Sequence, residues 1–142
     1  MRSVRLVLDT NVVASGLFWN GAPAQLLDAA FADEIELFTS RRLLAELTRI
    51  LHRPKFMKLI ATTGLSIEEL VLGYADLAII VDPLPIAPTV LADPDDDHVL
   101  ACAVVAKVDL IVSGDAHLLD LKSYRQIPIV SPSVALARLT TA

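Results

Sequence analysis

Cysteine occurs only once in this chain, at Cys102, so an intrachain disulfide and a thiolate metal cluster are both excluded. Cys102 lies in an apolar helical run, where a buried structural thiol is expected rather than a reactive nucleophile. Histidine is also scarce, and His52, His98 and His117 do not have the spacing of a zinc site. Zinc chemistry and Cys-His catalysis therefore find no support in the sequence.

Long hydrophobic runs are also missing. The longest uninterrupted apolar run covers residues 99–106, far short of the roughly 20 residues that cross a bilayer. The chain starts on a strand-like segment without a positively charged leader or a small-residue cleavage site, so we expect no signal peptide. These observations predict a soluble, cytoplasmic protein that does not enter a membrane.

Aromatic residues make up only 5 % of the chain, which argues against extensive base stacking on single-stranded nucleic acid. The formal net charge of −5 argues against binding nucleic acid by overall charge alone. The charges are unevenly distributed, however. Half of the twelve Lys and Arg residues lie between positions 41 and 58, where Glu46 is the only acid, so this segment is locally basic.

Apolar residues are abundant. Hydrophobic residues make up 54 % of the chain and charged residues 20 %, which is typical of a folded protein with a sizeable core. A length of 142 residues fits one domain, and we find no internal repeat, low-complexity tract or linker. We expect a single domain over residues 1–142.

Short apolar segments alternate with segments of helical spacing. The first apolar segment stops at the polar run Asp9-Thr10-Asn11. Predicted strands cover residues 4–8, 35–39, 78–81, 110–113 and 127–130. Predicted helices cover residues 22–32, 40–52 with Ser40 as the cap, 56–60, 95–107 and 116–121, and two more follow the capping signals at Ser66 and Ser131-Pro132. The apolar run within 95–107 also fits a strand. The alternation predicts an α/β/α sandwich with a mostly parallel sheet of about five strands.

Four acidic side chains are predicted to meet at one edge of this sheet, because ligands of open α/β sheets collect outside the carboxyl ends of the strands. Asp9 directly follows the first strand, and Asp115 follows the strand that starts at residue 110. Asp97 begins the helix that leads into that strand. Glu46 lies about two turns into the helix after the second strand, from where its side chain could reach the same edge.

Carboxylates that converge in this way repel one another, by about 1 kcal/mol per pair at 4 Å in water and by more near a protein surface. A site of this kind holds a shared proton or a divalent cation. Ligands that are all oxygen favour Mg²⁺ or Mn²⁺ over zinc. A bound cation of this type lowers the pKa of a water molecule, which then becomes a nucleophile.

Each acid also has a structural interpretation. Asp9 and Asp115 are placed to be turn or cap residues, and Asp97 is placed to interact with a helix dipole. Glu46 lies at helical spacing from three arginines, an arrangement that an exposed stripe of ion pairs also explains. The three are Arg42, Arg49 and Arg53.

Four short motifs resemble those of PIN-domain ribonucleases. They are Leu6-Val-Leu-Asp-Thr-Asn11, Leu44-Ala-Glu-Leu47, Asp97-His-Val-Leu-Ala101 and Val112-Ser-Gly-Asp115. Their order and spacing match along nearly the whole chain. Within that superfamily the sequence is most similar to VapC-like toxins of prokaryotic toxin–antitoxin pairs, and the Asp-Pro-Asp-Asp-Asp run at 93–97 is similar to the form used there.

The resemblance implies a ligand set for Mg²⁺ or Mn²⁺ that consists of Asp9, Glu46, Asp97 and Asp115. It also implies that Thr10 or Asn11 positions a carboxylate or a water, and that Ser113 stands where the family often has Thr. The third acid is chosen among neighbours, since Asp93 or Asp96 could contribute through water. We choose Asp97 because it immediately precedes the hydrophobic pattern of its motif.

The implied reaction is metal-assisted hydrolysis of an RNA phosphodiester, which leaves 5′-phosphate and 3′-hydroxyl ends. Arg42, Arg49 and Arg53 are then candidates to bind backbone phosphates. The resemblance further implies a small antitoxin protein that blocks the site, and a homodimer. The apolar segment around Leu17–Trp19 would suit the dimer interface, although Trp19 could also lie exposed at the rim of the site.

Two other functions remain open. A phosphatase of the haloacid dehalogenase type also has an Asp after its first strand, but it needs a second Asp where this chain has Asn11. A non-catalytic module could use the acids only to bind a stabilising metal or a partner. A dinucleotide-binding domain is excluded because no Gly-x-Gly-x-x-Gly follows the first strand.

Overall fold

The computed structural model describes residues 3–140, which form a six-stranded sheet with helices on both faces. The strand order is β3-β2-β1-β4-β6-β5, and every pairing is parallel except the antiparallel pair of β5 and β6. The strands are β1 (Val4–Leu8), β2 (Ile35–Ser40), β3 (Ile79–Val81), β4 (Leu110–Val112), β5 (Ser123–Tyr124) and β6 (Ile127–Val130). The predicted fold class is confirmed. β5 was missed because two residues are too few to show a strand period.

Eight helices connect or follow these strands within residues 3–140. They are α1 (Thr10–Phe18), α2 (Ala22–Phe31), α3 (Arg41–Leu51), α4 (Pro54–Ala61), α5 (Ile67–Leu77), α6 (Asp96–Ala106), α7 (Ala116–Leu121) and α8 (Pro132–Thr140). The predicted end of the first strand before Asp9-Thr10-Asn11 is confirmed, but helix α1, which begins there, was not predicted. The backbone carbonyl of Asp9 accepts hydrogen bonds from the amides of Val12 and Val13, so this polar run is a helix start.

The helix caps that position the site were correctly predicted. The hydroxyl of Ser40 accepts a hydrogen bond from the amide of Leu43 and caps α3 directly after β2. Ser66 and Glu69 form the reciprocal capping box that starts α5. The segment 95–107, which also fitted a strand, is helical in its central part as α6. None of the helices in residues 3–140 is long and apolar enough to cross a membrane.

The two faces of the sheet have separate apolar cores, as alternation along β1 requires. Leu6 and Leu8 pack on one face among residues of α1, α2, α3, α5 and α8. Val7 packs on the other face, largely against α6 and α7. Cys102 is fully buried in this second core, where burial raises the pKa of its thiol to about 12, so it is protonated and structural as expected.

Candidate metal centre

Asp9 lies where the two central strands end. β1 and β4 are adjacent and parallel, with Leu8 beside Val112, so the residues that follow them meet at one edge of the sheet. The amide of Asp9 donates to the carbonyl of Val112 at 2.8 Å, which extends the ladder by one residue. Its carboxylate is buried, with the residue only 3 % exposed.

Ser113 holds two of the acids in place. Its hydroxyl donates to Asp9 Oδ2 at 2.8 Å and accepts from the amide of Asp115 at 2.9 Å. The side chain of Ser113 is fully buried. One hydroxyl thus fixes the Asp9 carboxylate and the backbone that carries Asp115.

Asp115 caps a helix and also lies in a cluster of acids. Its Oδ1 accepts from the amide of His117 at 2.7 Å and caps α7. A carboxylate oxygen of Asp115 also lies within 4.8 Å of an oxygen of Asp93 and of Asp96, and these three oxygens lie within that distance of one another. The hydrogen bond to the helix therefore does not remove Asp115 from the cluster.

Asp96, not Asp97, joins this cluster. Asp96 is the first residue of α6 and is 5 % exposed, and the charges that act on it are those of Asp115, Asp9 and Asp93. The two oxygens of Asp97 instead accept hydrogen bonds from the amides of Thr89 and Val90, at 3.1 and 2.9 Å.

The choice of Asp97 as the third acid is therefore corrected to Asp96, with Asp93 beside it. Consecutive residues of a helix differ in direction by about 100°. When one of the pair faces the sheet edge, the other has to face elsewhere, and Asp97 faces the loop between β3 and α6, where it holds two backbone amides.

Glu46 lies at the border of the cluster. It is on α3, half-buried, and interacts electrostatically with Asp9 and Asp95 and by a hydrogen bond with Thr10. Thr10 is 2 % exposed and its hydroxyl also points toward Asp9 Oδ1, at 3.5 Å. Thr10 therefore occupies the positioning place that was predicted for Thr10 or Asn11, while Asn11 is exposed.

Burial and mutual repulsion make these acids hard to ionise. Burial, opposed in part by the Ser113 hydrogen bond, raises the pKa of Asp9. Burial and then the charges of Asp115, Asp9 and Asp93 raise the pKa of Asp96 to about 8. Burial and the charges of Asp9 and Asp95 raise the pKa of Glu46 to about 6. A cation would relieve this cost by favouring the ionised forms.

The residues present fit a hard divalent cation. Asp96 Oδ2 is buried and has no hydrogen-bond partner among the described residues, which is unusual for a buried carboxylate oxygen. The surrounding ligand atoms are carboxylate and hydroxyl oxygens, the set that Mg²⁺ and Mn²⁺ prefer. The helices α1, α6 and α7 all begin at these acids, so their positive ends further stabilise negative charge there.

Two of the three candidate arginines lie beside Glu46. Arg42 and Arg49 line a cavity of about 280 Å³ together with Glu46, Asp95 and His98. Arg49 pairs with Asp95 at 3.1 Å and lies 3.9 Å from Glu46, but its side chain is 65 % exposed. Such a solvated pair contributes little stability and can exchange its partner. Arg53 is exposed before α4 and does not line this cavity.

Sequence reasoning missed His98. Arg42 Nε donates to His98 Nε2 at 3.1 Å, and this contact joins α3 to α6. The only signal was the position of His98 next to the acidic run at 93–97. Trp19 is 44 % exposed and packs its ring against Phe18 and Phe56.

Removing the Ser113 hydroxyl is expected to shift the pH dependence of the site. The hydrogen bond from Ser113 lowers the pKa of Asp9, so Ser113→Ala raises that pKa and the acid limb of a metal-dependent activity moves to higher pH. Ser113→Thr keeps the hydroxyl and should restore the profile. Ser131→Ala removes a cap hydroxyl from α8 and is the matched control. A profile unchanged by Ser113→Ala would contradict this role.

Comparison with known proteins agrees with the fold. A family model described as PIN domain matches residues 5–117. The chain is also 29 % identical, over 120 residues, to an uncharacterized protein of Methanocaldococcus jannaschii, and the match covers 84 % of this chain and 76 % of that protein. The matched segment of the family model includes all the acids described above.

Proposed function

This chain belongs to the PIN domain family, and on that premise we propose that it is a divalent-metal-dependent ribonuclease that hydrolyses RNA phosphodiester bonds. The observation that carries the proposal is the cluster of Asp93, Asp96 and Asp115, whose oxygens lie within 4.8 Å of one another. A buried oxygen of Asp96 has no hydrogen-bond partner within residues 3–140. Membership of the family supports nuclease chemistry at this cluster, and RNA as the substrate follows from the motif resemblance.

In this proposal Asp9, Asp96 and Asp115 hold the cation, Mg²⁺ or Mn²⁺, and Asp93 contributes directly or through water. The bound cation offsets the charge of the phosphodiester and lowers the pKa of a water. Ser113 and Thr10 keep the Asp9 carboxylate in position.

Glu46 accepts a proton in the proposed reaction. A pKa of about 6 lets Glu46 be ionised near neutrality and still be basic enough to take a proton from the attacking water. The water oxygen bonds to phosphorus, and the bond from phosphorus to the 3′ oxygen breaks. The 3′ oxygen takes a proton from solvent, so the products are a 5′-phosphate and a 3′-hydroxyl.

Arg42 and Arg49 bind the phosphates that flank the reacting one. Both lie on α3 and line the cavity that contains Glu46. The exposed pair of Arg49 and Asp95 can open without much cost, so the guanidinium is available for a phosphate. Arg53 contributes only longer-range attraction, since it lies outside the cavity.

We further propose that the protein acts in the cytoplasm as the toxin of a toxin–antitoxin pair, with a small antitoxin that covers the acids, and that it forms a homodimer. The exposed ring of Trp19 and the exposed Met57 supply apolar area for an interface between copies. A neighbouring reading frame for a small DNA-binding protein would support the toxin role, and sedimentation or light scattering measures the oligomeric state.

Cleavage of single-stranded RNA by the purified protein tests the proposed reaction. We expect cleavage with Mg²⁺ or Mn²⁺, none with a chelator, and at least about 100-fold less with Asp9→Asn, since a ligand is lost. Asp28→Asn, on the exposed surface of α2, is the matched control. Cleavage by Asp9→Asn at the wild-type rate would contradict the proposed metal site. Phosphate release from a small phosphomonoester, with RNA intact, would favour a phosphatase instead.

A further inference from the structure

A second, larger cavity adjoins the one that contains Glu46. Its volume is about 480 Å³, and it lies between the start of α3, the first turns of α6 and the proline-rich loop that joins β3 to α6. Its lining includes four prolines between positions 83 and 94 together with Leu84, Ile86 and Ala101. None of these residues has a part in the proposed reaction.

Arg42 and His98 connect the two cavities. Both side chains line the larger cavity and also the smaller one, where Glu46 and Arg49 lie. The hydrogen bond of 3.1 Å between them holds a guanidinium and an imidazole ring at the boundary. A chain that enters past the basic side chains of α3 therefore meets Glu46 on one side and the apolar cavity on the other.

We propose that the larger cavity binds the base and ribose of a nucleotide next to the scissile phosphate. The proposal rests on the proposed function, since a phosphate bound by Arg42 and Arg49 beside Glu46 would have its attached nucleoside next to the larger cavity. The occupant is thus a nucleoside of single-stranded RNA, bound mainly by its flat faces.

The lining suits a flat apolar ring. Proline and leucine side chains provide apolar contact, and the planar groups of Arg42 and His98 can stack on a base without an aromatic side chain. A volume of about 480 Å³ is in the range of small-molecule sites. The cavity could therefore stack a base although the chain has few aromatic residues.

The same lining predicts that the cavity binds all four bases with similar affinity. Proline has no backbone N–H, so the four prolines offer no main-chain donors to a base edge. The two oxygens of Asp97 are engaged by the amides of Thr89 and Val90, and the hydroxyl of Ser40 caps α3. With few free polar groups, the four bases should bind within about tenfold of one another.

Titration with free nucleosides tests the cavity without any cleavage step. We expect adenosine, cytidine, guanosine and uridine each to shift the methyl resonances of Leu84 and Ile86, with dissociation constants on the order of 1 mM. Leu84→Ala, at a side chain 76 % exposed, should weaken binding about three- to tenfold. Leu72→Ala, at a side chain 63 % exposed on α5, is the matched control and should change nothing.

RNA kinetics provide the second readout. Leu84→Ala should raise KM about fivefold with kcat within about twofold, because the base contact is lost while the acids are unchanged. Ala101→Phe fills the cavity from α6 and should likewise raise KM with little change in kcat. A melting curve checks that this variant is folded.

The outcomes separate the two proposals. Nucleoside binding at Leu84 without RNA cleavage would overturn the ribonuclease function and leave the cavity as a nucleoside site. The cavity proposal would be overturned if RNA were cleaved but no nucleoside, at up to about 20 mM, shifted the methyl resonances. It would also be overturned if Leu84→Ala left those shifts unchanged. Binding of apolar peptides there, with no nucleoside binding, would also overturn it.

Discussion

Replacing Asp96 by Asn is expected to reduce metal-dependent RNA cleavage about 10³-fold, whereas replacing its neighbour Asp97 should leave cleavage within about fivefold. The difference follows from where the two carboxylates point. Asp96 shares the cluster with Asp93 and Asp115, and one of its buried oxygens has no hydrogen-bond partner in the part of the chain that the structure describes. Asp97 is engaged by two backbone amides of the loop before α6.

The expected loss at Asp96 has a simple electrostatic origin. An amide keeps the shape of the side chain but removes one negative charge, and one of its two oxygen ligand atoms becomes nitrogen. A bound divalent cation contributes several kcal/mol to stabilising the charge that develops on the phosphate. A loss of about 4 kcal/mol of that stabilisation corresponds to the stated factor.

Asp97→Asn makes a matched control because it changes the same atoms one residue away. Its single side-chain oxygen can accept from only one of the amides of Thr89 and Val90, so the other loses its partner. An unpaired buried amide costs about 1–3 kcal/mol, so the melting temperature of this variant should fall while activity persists.

The measurements are initial rates of RNA cleavage at saturating Mn²⁺, and the metal dissociation constant of each variant by calorimetry. Full activity in Asp96→Asn together with a 10³-fold loss in Asp97→Asn would reverse the assignment and restore the choice made from the sequence. Loss in both, with both proteins folded, would mean that the loop held by Asp97 is required for the reaction.

Without metal, the protein is expected to lose stability as pH rises from about 4 to about 8. The pKa of Asp96 is about 8 in the folded chain and 3.8 ordinarily, so the folded state binds more protons than the unfolded state over this range. Stability therefore falls as pH increases. The pKa of Glu46 is about 6 in the folded chain and 4.5 ordinarily, so Glu46 also lowers stability as pH rises between those two values.

The difference between a pKa of 3.8 and one of about 8 sets an upper limit of about 6 kcal/mol on this effect. Because the neighbouring acids share this titration, we expect about half of that limit, or about 10 °C in melting temperature for a chain of this length. Mg²⁺ or Mn²⁺ should restore the loss at pH 8, because a cation that binds only the folded state stabilises it by mass action. Metal affinity should correspondingly be higher at pH 8 than at pH 6, since binding releases the protons.

Asp96→Asn makes the sharpest comparison. It removes the ionisable group, so the metal-free variant should be more stable than the metal-free wild type at pH 8 and no longer respond to metal to the same extent. Thermal melts from pH 4.5 to 8.5, with chelator and with Mg²⁺, measure this. The prediction would be contradicted if the metal-free wild type became more stable toward pH 8. It would also be contradicted if the Asp28→Asn control behaved like Asp96→Asn.

The sequence by itself determined the order of the strands and helices apart from α1 and β5, because the periods and caps of the others are local. The alternation at Leu6, Val7 and Leu8, the cap at Ser40 and the capping box at Ser66 all appear in the structure as expected. It also placed Asp9 and Asp115 at one edge of the sheet, because the carboxyl ends of adjacent parallel strands meet there.

Only the tertiary structure decided which aspartate of the run at 93–97 faces that edge. Spacing along a chain places residues on a helix but does not set how the helix is rotated about its axis. That rotation follows from packing of the apolar face of α6 on the sheet. It turns Asp96 toward Asp9 and Asp115 and turns Asp97 toward the loop amides, so two consecutive aspartates have different surroundings.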